Sequence, residues 1–243
     1  MKKIIFIFLC TWNFLFADLT EDLIVAITEN NYIKVTTLLK KGAKVNPNPT
    51  GDFIDKRPIF YAVATHDVEN LSENEMKNYI DTKIKIIDLL ISKGASVNET
   101  YDDGSRYSES ERLFDSITNP RIAEYIAKKG VKFNSLLEEA VAQKDLLKVQ
   151  SLLNKKTLEK SKNDAFIMAV NFDYKEIVDY FLKDKSIDKE EGLSVAVGNN
   201  QYDMIELFLL AGVDVNKYQP IDIALRNDNR IIFDLLIKHG AKY

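Results

Sequence analysis

The stretch LLKKGAKVN, residues 38–46, decides the fold because it recurs along the chain. Its variants are LLISKGASVN ending at Asn98, YIAKKGVKFN ending at Asn134, FLLAGVDVN ending at Asn216 and LLIKHGAKY ending at Tyr243. In the first copy, Gly42 follows the amphipathic run YIKVTTLLKK. Glycine just past a helix readily adopts the left-handed conformation that ends the helix. Each copy therefore predicts a helix C-terminus.

A small residue lies at a fixed distance before each of these positions and divides the chain into seven units. Sixteen residues separate Ala26 from Gly42, and four further units keep this spacing, two of them with lysine at the glycine position (Lys156 and Lys185). The second and third units have spacings of 32 and 14 residues. The small residues are at 26, 62, 116, 140, 169, 196 and 224. Each unit predicts an inner and an outer helix, which must stack on neighbouring units to bury their apolar faces.

The repeat resembles that of ankyrin-repeat proteins. The segments RPIFYAV (57–63) and QPIDIAL (219–225) keep the proline, apolar residue and alanine of that family's inner-helix opening, and SLLEEAVAQKDLLKVQSLL (135–153) keeps the apolar and alanine pattern. The family's threonine and histidine are absent. The resemblance covers residues 19–243 and implies an all-α, ankyrin-like solenoid of about seven helix-turn-helix repeats. Short β-hairpin fingers are expected mainly in the N-terminal half.

The predicted units cover residues 19–46, 57–98, 111–134, 135–160, 163–188, 191–216 and 219–243 of a solenoid that spans 18–243. Two connections are long enough for a full finger, residues 47–57 and 99–112. The second unit carries an insertion, residues 65–81. Within it, Ser72 and Glu75 have the spacing of a capping box, which predicts that the insertion extends the outer helix.

Residues 1–17, MKKIIFIFLCTWNFLFA, have the layout of a secretory signal peptide: two lysines, an apolar stretch and a small residue before a polar segment. The apolar stretch, residues 4–16, is shorter than the roughly 20 residues of a spanning helix. An uncleaved anchor and a lipid anchor at Cys10 are alternatives. Cleavage would remove the one cysteine of the sequence, so the fold would depend on packing rather than on disulfides. Together with the composition, this segment predicts an exported bacterial protein, periplasmic or secreted.

Composition and motifs argue against an enzyme. The 243 residues are 46% hydrophobic and carry a net charge of -4, which gives no electrostatic basis for nucleic-acid binding. His66 beside Asp67 lacks a nucleophile or phosphate-binding loop and is interpreted as a surface histidine. Asp102, Asp103 and Gly104 do not fit an EF-hand, because Tyr101 and Ser110 occupy positions that need acidic ligands. We expect no catalytic residues, no cofactor and no metal.

The ankyrin resemblance implies binding of another protein through variable surface residues. Exposed aromatic residues on projecting loops are common anchors of such surfaces. The candidate partner-binding residues are Phe53, Ile54, Tyr61, His66, Tyr101, Arg106 and Tyr107. A scaffold or accessory protein, an immunity-type inhibitor and a secreted effector that binds a host protein all remain open.

Lysines recur near the predicted ends of outer helices: Lys40, Lys41, Lys128, Lys129, Lys155, Lys156, Lys183 and Lys185. Their simplest role is to complement the helix dipole and the terminal carbonyls. The alternative is a basic edge that binds an anionic membrane or wall polymer, which would make the protein envelope-associated. His239 is predicted to cap the last helix. Phe181, Phe208 and Phe233 have the spacing of core residues on outer helices.

Overall fold

The structure, a computed structural model, describes residues 19–47, 57–65, 68, 71–98, 100–101, 111–154 and 156–243. The chain divides into two compact units, Met1–Val131 and Lys132–Tyr243. In the described parts of both units, helices follow one another in pairs joined by tight turns.

The first unit contains the longest described helix of the chain. Its elements are α1 (19–28), α2 (Tyr32–Lys40), α3 (Pro58–Val63), α4 (Glu73–Ser92), β1 (Thr100–Tyr101), β2 (Glu111–Arg112) and α5 (Pro120–Ala127). Helix α4 packs against α2, α3 and α5. Its 20 residues exceed the nine of α2 and the eight of α5, which makes α4 the common support of this unit.

The second unit is a row of four helix pairs. They are α6 (Leu136–Ala142) with α7 (Leu146–Leu152), α8 (Glu159–Asn171) with α9 (Lys175–Phe181), α10 (Lys189–Gly198) with α11 (Tyr202–Leu210), and α12 (Pro220–Arg226) with α13 (Arg230–Lys238). The inner helices α6, α8, α10 and α12 pack on one another in that order, and each contacts its own outer helix. The described residues of this unit contain no strand.

The small residues mark where inner helices approach one another closely. Six of the seven predicted positions are alanines on inner helices, and all six are at most 1% exposed: Ala26, Ala62, Ala140, Ala169, Ala196 and Ala224. A side chain of one carbon allows neighbouring helices to pack without a gap between their backbones. The alanine pattern in the sequence is therefore a packing pattern.

The repeated stretch is a helix-ending motif. Gly42 has φ of 98°, its N–H donates to Leu39 O, and the N–H of Ala43 donates to Leu38 O. These two bonds define a Schellman motif, in which the left-handed residue turns the chain back onto the last helical carbonyls. Leu38, Ala43 and Val45 are all buried. The glycines of four further copies, at 94, 130, 212 and 240, also have φ between 71° and 95°.

The asparagine that ends the stretch links one repeat to the next. The side-chain amide of Asn46 donates to Gly94 O, that of Asn98 to Gly130 O and that of Asn216 to Gly240 O, at 2.7, 3.0 and 3.3 Å. The acceptor in each case is the carbonyl of the helix-ending glycine one unit further along. The stretch recurs because each copy ends its own helix and, in three of the copies, the asparagine also holds the following repeat.

The two units with lysine at the glycine position end their outer helices differently. Neither Lys156 nor Lys185 is among the residues with positive φ, so these two repeats lack the left-handed residue that ends the outer helix in the glycine copies. Helices α7 and α9 have seven residues, against nine in α2, α11 and α13. The hydroxyl of Thr157 and the amide of Asn154 bond to Leu152 O at the end of α7.

The capping box predicted in the insertion is present. Ser72 is the N-cap of α4, its N–H donates to Glu75 Oε2 at 2.9 Å, and the Glu75 N–H donates to the Ser72 hydroxyl at 3.4 Å. The Ser72 hydroxyl also donates to Glu75 Oε2, and this bond, together with that from the Ser72 N–H, lowers the pKa of the Glu75 carboxyl. Helix α4 therefore begins within the insertion and runs to Ser92, as expected.

The third unit departs from the two-helix pattern. Residues 113–116 form a turn, although Leu113, Phe114 and Ile117 are buried like residues of an inner helix. Asn119 caps α5 and Pro120 occupies its first turn, so the outer helix begins only four residues after Ser116. The spacing of 14 leaves no room for an inner helix. Polar pairs instead attach α5 to α4: Arg121 to Asp81 at 2.5 Å, Tyr125 to Asp88 at 2.5 Å and Lys129 to Asp88 at 2.8 Å.

Two of the three phenylalanines predicted for the core are fully buried. Phe181 and Phe208 are 0% exposed, but the prediction is wrong for Phe233, which is only partly buried. Phe233 lies on α13, and among the described residues no further helix pair packs against that helix. Its ring instead lies 6.0 Å from that of Tyr243 and 5.1 Å from the Arg230 guanidinium carbon.

Candidate partner-binding surface

The second long connection begins and ends on a short antiparallel ladder. Thr100 pairs with Arg112 and Tyr101 with Glu111, between helices α4 and α5. Antiparallel pairing holds neighbouring strands about 4.8 Å apart, so the two ends of residues 102–110 leave the first unit side by side. The ladder is the base of the predicted finger in this connection.

Most of the predicted partner-binding residues lie outside the described residues. These are Phe53, Ile54, His66, Arg106 and Tyr107. Asp67 and residues 102–104, whose enzyme and calcium interpretations the sequence argues against, also lie outside the described residues. The structure places the backbone of Tyr101 in β1 and Tyr61 on α3. It thus brings two of the seven candidates onto elements of the first unit, and the assignment of the other five stays a prediction.

Helix α3 carries the aromatic residues closest to the first long connection. It begins with Arg57 as N-cap and Pro58 at its first position, where the missing proline N–H is not needed by the helix. The Arg57 guanidinium carbon lies 4.8 Å from the centre of the Phe60 ring. Phe60 and Tyr61 are both partly buried. The first predicted finger, residues 47–57, is therefore followed directly by a helical turn in which the Arg57 guanidinium packs on the Phe60 ring.

Helix α4 carries a buried lysine that contacts α3. Lys83 of α4 is 0% exposed, and its ammonium donates to Tyr61 O at 3.2 Å and Ile27 O at 3.3 Å, while the Tyr79 ring centre lies 5.7 Å away. Both acceptors belong to the last turns of inner helices, where the helix dipole favours a cation. Burial nevertheless lowers the pKa of Lys83 to about 8. No carboxylate of the described residues forms an ion pair with it.

Lys83 lies at the position that the N-cap residue of the outer helix occupies in other repeats. It lies eleven residues before Gly94, the spacing that separates the N-cap residue Gln201 from Gly212. Gln201 donates to Val170 O of the preceding helix pair at 2.7 Å, just as Lys83 donates to Ile27 O. In the second repeat, α4 continues through this position, and the longer side chain of Lys83 reaches the same kind of carbonyl acceptor. Sequence analysis missed this residue, although the eleven-residue spacing was available to find it.

The sequence analysis also missed an exposed aromatic residue in the C-terminal unit. Tyr218, between α11 and α12, is 51% exposed, and both it and Gln219 have positive φ, 60° and 50°. Its hydroxyl donates to Asp188 at 2.7 Å, and Lys217 donates to the same carboxylate at 3.1 Å. Burial acts to raise the pKa of Asp188, but these hydrogen bonds outweigh it and lower the pKa. The short connection between α11 and α12 predicts no finger, so the sequence gives no signal for a surface tyrosine there.

Carboxylates neutralise several of the lysines near outer-helix ends. Lys128 pairs with Glu124 at 2.6 Å, Lys129 with Asp88 at 2.8 Å and Lys183 with Asp179 at 2.9 Å. Lys155 lies outside the described residues. A basic edge built from these lysines is weaker than their number in the sequence indicates. His239 is the C-cap residue of α13, as predicted.

No metal-binding cluster of three or more histidine, cysteine or acidic side chains occurs in the part of the chain that the structure describes. In the same residues, no helix combines the length and the hydropathy that crossing a bilayer requires.

The described helix pairs define the class of fold. The helices are paired and antiparallel, the inner helices carry buried alanines, and left-handed glycines end the outer helices. A hairpin ladder lies between two repeats of the first unit. Together these features define an ankyrin-repeat fold. The recurring asparagine bonds to the next glycine carbonyl support the same assignment.

Comparison with known proteins adds a likeness to solved structures. No protein-family profile matches the sequence, and no curated protein matches it. A similar solved structure is the ankyrin repeat domain of Bcl-3, described as a unique member of the IkappaB protein family. The match has 19% identity and a TM-score of 0.36, and it covers 91% of this chain and 86% of that one. The assignment of the fold therefore rests on the helix pairs themselves.

Proposed function

We propose that this chain is a non-enzymatic protein-binding module that docks its partner on the finger-side surface of the first unit. The observation that carries the proposal is the ladder of Thr100–Tyr101 with Glu111–Arg112 between α4 and α5. Stacked repeats of this kind commonly serve as binding scaffolds, because their repeated helices support extended surfaces. Partner specificity then resides in loops that a rigid scaffold positions.

The proposed contact residues fall in the segments where the repeat is interrupted. These segments are the two finger connections, 47–57 and 99–112, and the insertion, 65–81. Phe53, Tyr101 and Tyr107 would supply the aromatic anchors, with Ile54, Tyr61, His66 and Arg106 around them. Docking is non-covalent and requires no cofactor. The partner is another protein, and its role as a client enzyme, a toxin or a host protein depends on its identity.

Shortening the fingers tests this proposal. Residues 47–57 and 99–112 would each be replaced by residues 217–219, which follow Asn216 as these two segments follow Asn46 and Asn98. The variant should retain its helical far-ultraviolet circular dichroism but lose the partner that crosslinks to the unaltered chain. A variant that folds and still captures the same partner would show that docking takes place elsewhere.

We propose that the protein acts in the bacterial periplasm after export through residues 1–17. Support comes from the charged, apolar and small segments of that stretch in the sequence. Fractionation of cells that express the full chain, with a deletion of residues 2–17 as control, tests the location. Recovery from the medium rather than the periplasm would instead favour a secreted effector, and recovery with membranes that salt releases would favour the envelope-associated alternative.

A further inference from the structure

The second unit has an open groove on its outer helices. The groove has a volume of about 420 Å³ and is lined by α7, α9 and α11. Helix α9 contacts both of the others and so lies between them. Leu146 of α7, Tyr180 of α9 and Leu207 of α11 line the groove with apolar surface. This volume falls within the range of sites that accept small ligands or anchoring side chains.

An exposed leucine lies one turn beyond the groove on α11. Leu210 is 85% exposed and lies three residues after Leu207, so both are on the same face of that helix. Leu146, Tyr180 and Leu207 come from three neighbouring helices, and Leu210 lengthens this apolar surface along α11. The surface therefore suits a helical segment, which contacts a groove through residues three and four apart.

The charges around the groove leave it acidic. Lys175 pairs with Asp203 at 2.5 Å and lies 3.8 Å from Asp173, so two carboxylates face this one ammonium. Lys183 pairs with Asp179 at 2.9 Å. Glu176 also lines the groove and has no ion-pair partner within the described residues. A cation brought by a ligand would meet the unneutralised carboxylate of Glu176.

We propose that this groove is a second docking surface, which binds a basic amphipathic helix of a partner protein. Leucine-type side chains of that helix would lie between Leu146 and Leu207 over Tyr180, and a lysine or arginine one turn away would pair with Glu176. No residue of the predicted fingers lines the groove. The second surface therefore goes beyond the finger-side docking proposed above and does not depend on it.

A synthetic helix tests the proposal directly. The probe is a fluorescein-labelled 18-residue peptide of leucine and lysine with an amphipathic helical pattern, and its binding to the full chain is followed by anisotropy in 0.15 M salt. We expect Leu207→Asp and Glu176→Lys to weaken binding at least tenfold. Glu206→Lys is the matched control, because it makes the same change of charge at an exposed position of α11 outside the groove.

A second peptide separates docking from general electrostatic attraction. With glutamate in place of lysine, the peptide should bind the unaltered chain weakly and bind Glu176→Lys more tightly than Glu206→Lys. Equal binding of the lysine peptide by Glu176→Lys and Glu206→Lys, or no binding by the unaltered chain, would overturn the proposal. The Tyr101→Ala, Tyr107→Ala variant should bind the peptide normally, so this experiment can fail without bearing on the finger-side surface.

Discussion

Gly192 of α10 lies so close to Phe166 of α8 that a Cβ atom on the glycine would come within 2.6 Å of the phenylalanine ring. The same Cβ would lie 2.8 Å from the Phe208 ring. Phe166 contacts Phe181 and Phe208 with ring centres 5.8 and 6.0 Å apart, and all three rings are fully buried. The absence of a side chain at Gly192 thus sets how closely α10 packs against the aromatic core of the second unit.

Gly192→Ala should destabilise the protein by about 1–3 kcal/mol, because the added methyl group overpacks a core that cannot move aside freely. Urea denaturation followed by circular dichroism measures the change. Gly198→Ala is the matched control on the same helix: its Cβ would meet only Ile223 Cγ2, at 3.9 Å. That control should be neutral or slightly stabilising, since alanine is the better helix former. Equal stability of the two variants would show that the α8–α10 spacing adapts.

Lys83 predicts a stability that rises with pH. Its pKa is about 8 in the folded chain and 10.5 when unfolded, so the unfolded chain binds more protons between these values. The free energy of unfolding should therefore increase by about 2 kcal/mol from pH 7 to pH 10 relative to Lys83→Met. Lys85→Met, at an exposed position of the same helix, should keep the pH dependence of the unaltered chain. The same slope in Lys83→Met would mean that the ammonium is not buried.

Asp184 predicts a loss of stability at low pH. Lys162, only 5% exposed, donates to Asp184 at 2.7 Å and, with the Ser186 N–H, lowers the pKa of that carboxyl to about 2. The stabilisation is complete above the unfolded value of 3.8 and is lost as the pH falls through 2. After solvent screening it amounts to about 1 kcal/mol.

Acid unfolding measures this contribution. Asp184→Asn should lower stability at pH 5 and approach the unaltered chain near pH 2. Asp179→Asn removes a more exposed ion pair, with Lys183, and should change stability little at either pH. A constant difference between Asp184→Asn and the unaltered chain over this range would argue against an ion pair.

The asparagine bonds between units should contribute measurably to stability. Asn216 donates to Gly240 O at 3.3 Å and accepts from the Lys242 N–H at 2.8 Å. Asn216→Ala removes both bonds and should cost about 1 kcal/mol. Asn216→Asp keeps the acceptor and loses the donor, so its stability should fall between the two. Hydrogen exchange should show the loss as faster exchange at residues 240–242, with α8 unaffected.

The sequence predicted most of the helical framework because its signals are local. The helix-ending glycines, the alanines of the inner helices and the capping box of Ser72 and Glu75 each depend on residues within one or two turns, and the structure has them all. Lysine at two glycine positions was also readable. The outer helices that precede these two lysines are shortened to seven residues and lack the left-handed helix end.

Features that depend on contacts between units were not predictable in the same way. The burial of Lys83 requires α1, α3 and α4 to meet at one point, and no local pattern reports that meeting. Phe233 has the spacing of a core residue, but burial depends on a neighbour that α13 lacks among the described helices. The groove on α7, α9 and α11 is formed by the outer helices of three successive repeats.

The partner-binding prediction rests on aromatic residues whose function only a binding experiment can test. Crosslinking capture from a periplasmic extract, with the full chain and its Phe53→Ala, Tyr101→Ala, Tyr107→Ala variant, measures it most directly. The account predicts one protein that the unaltered chain captures and the folded variant does not. Equal capture by the two chains would contradict docking on the finger-side surface.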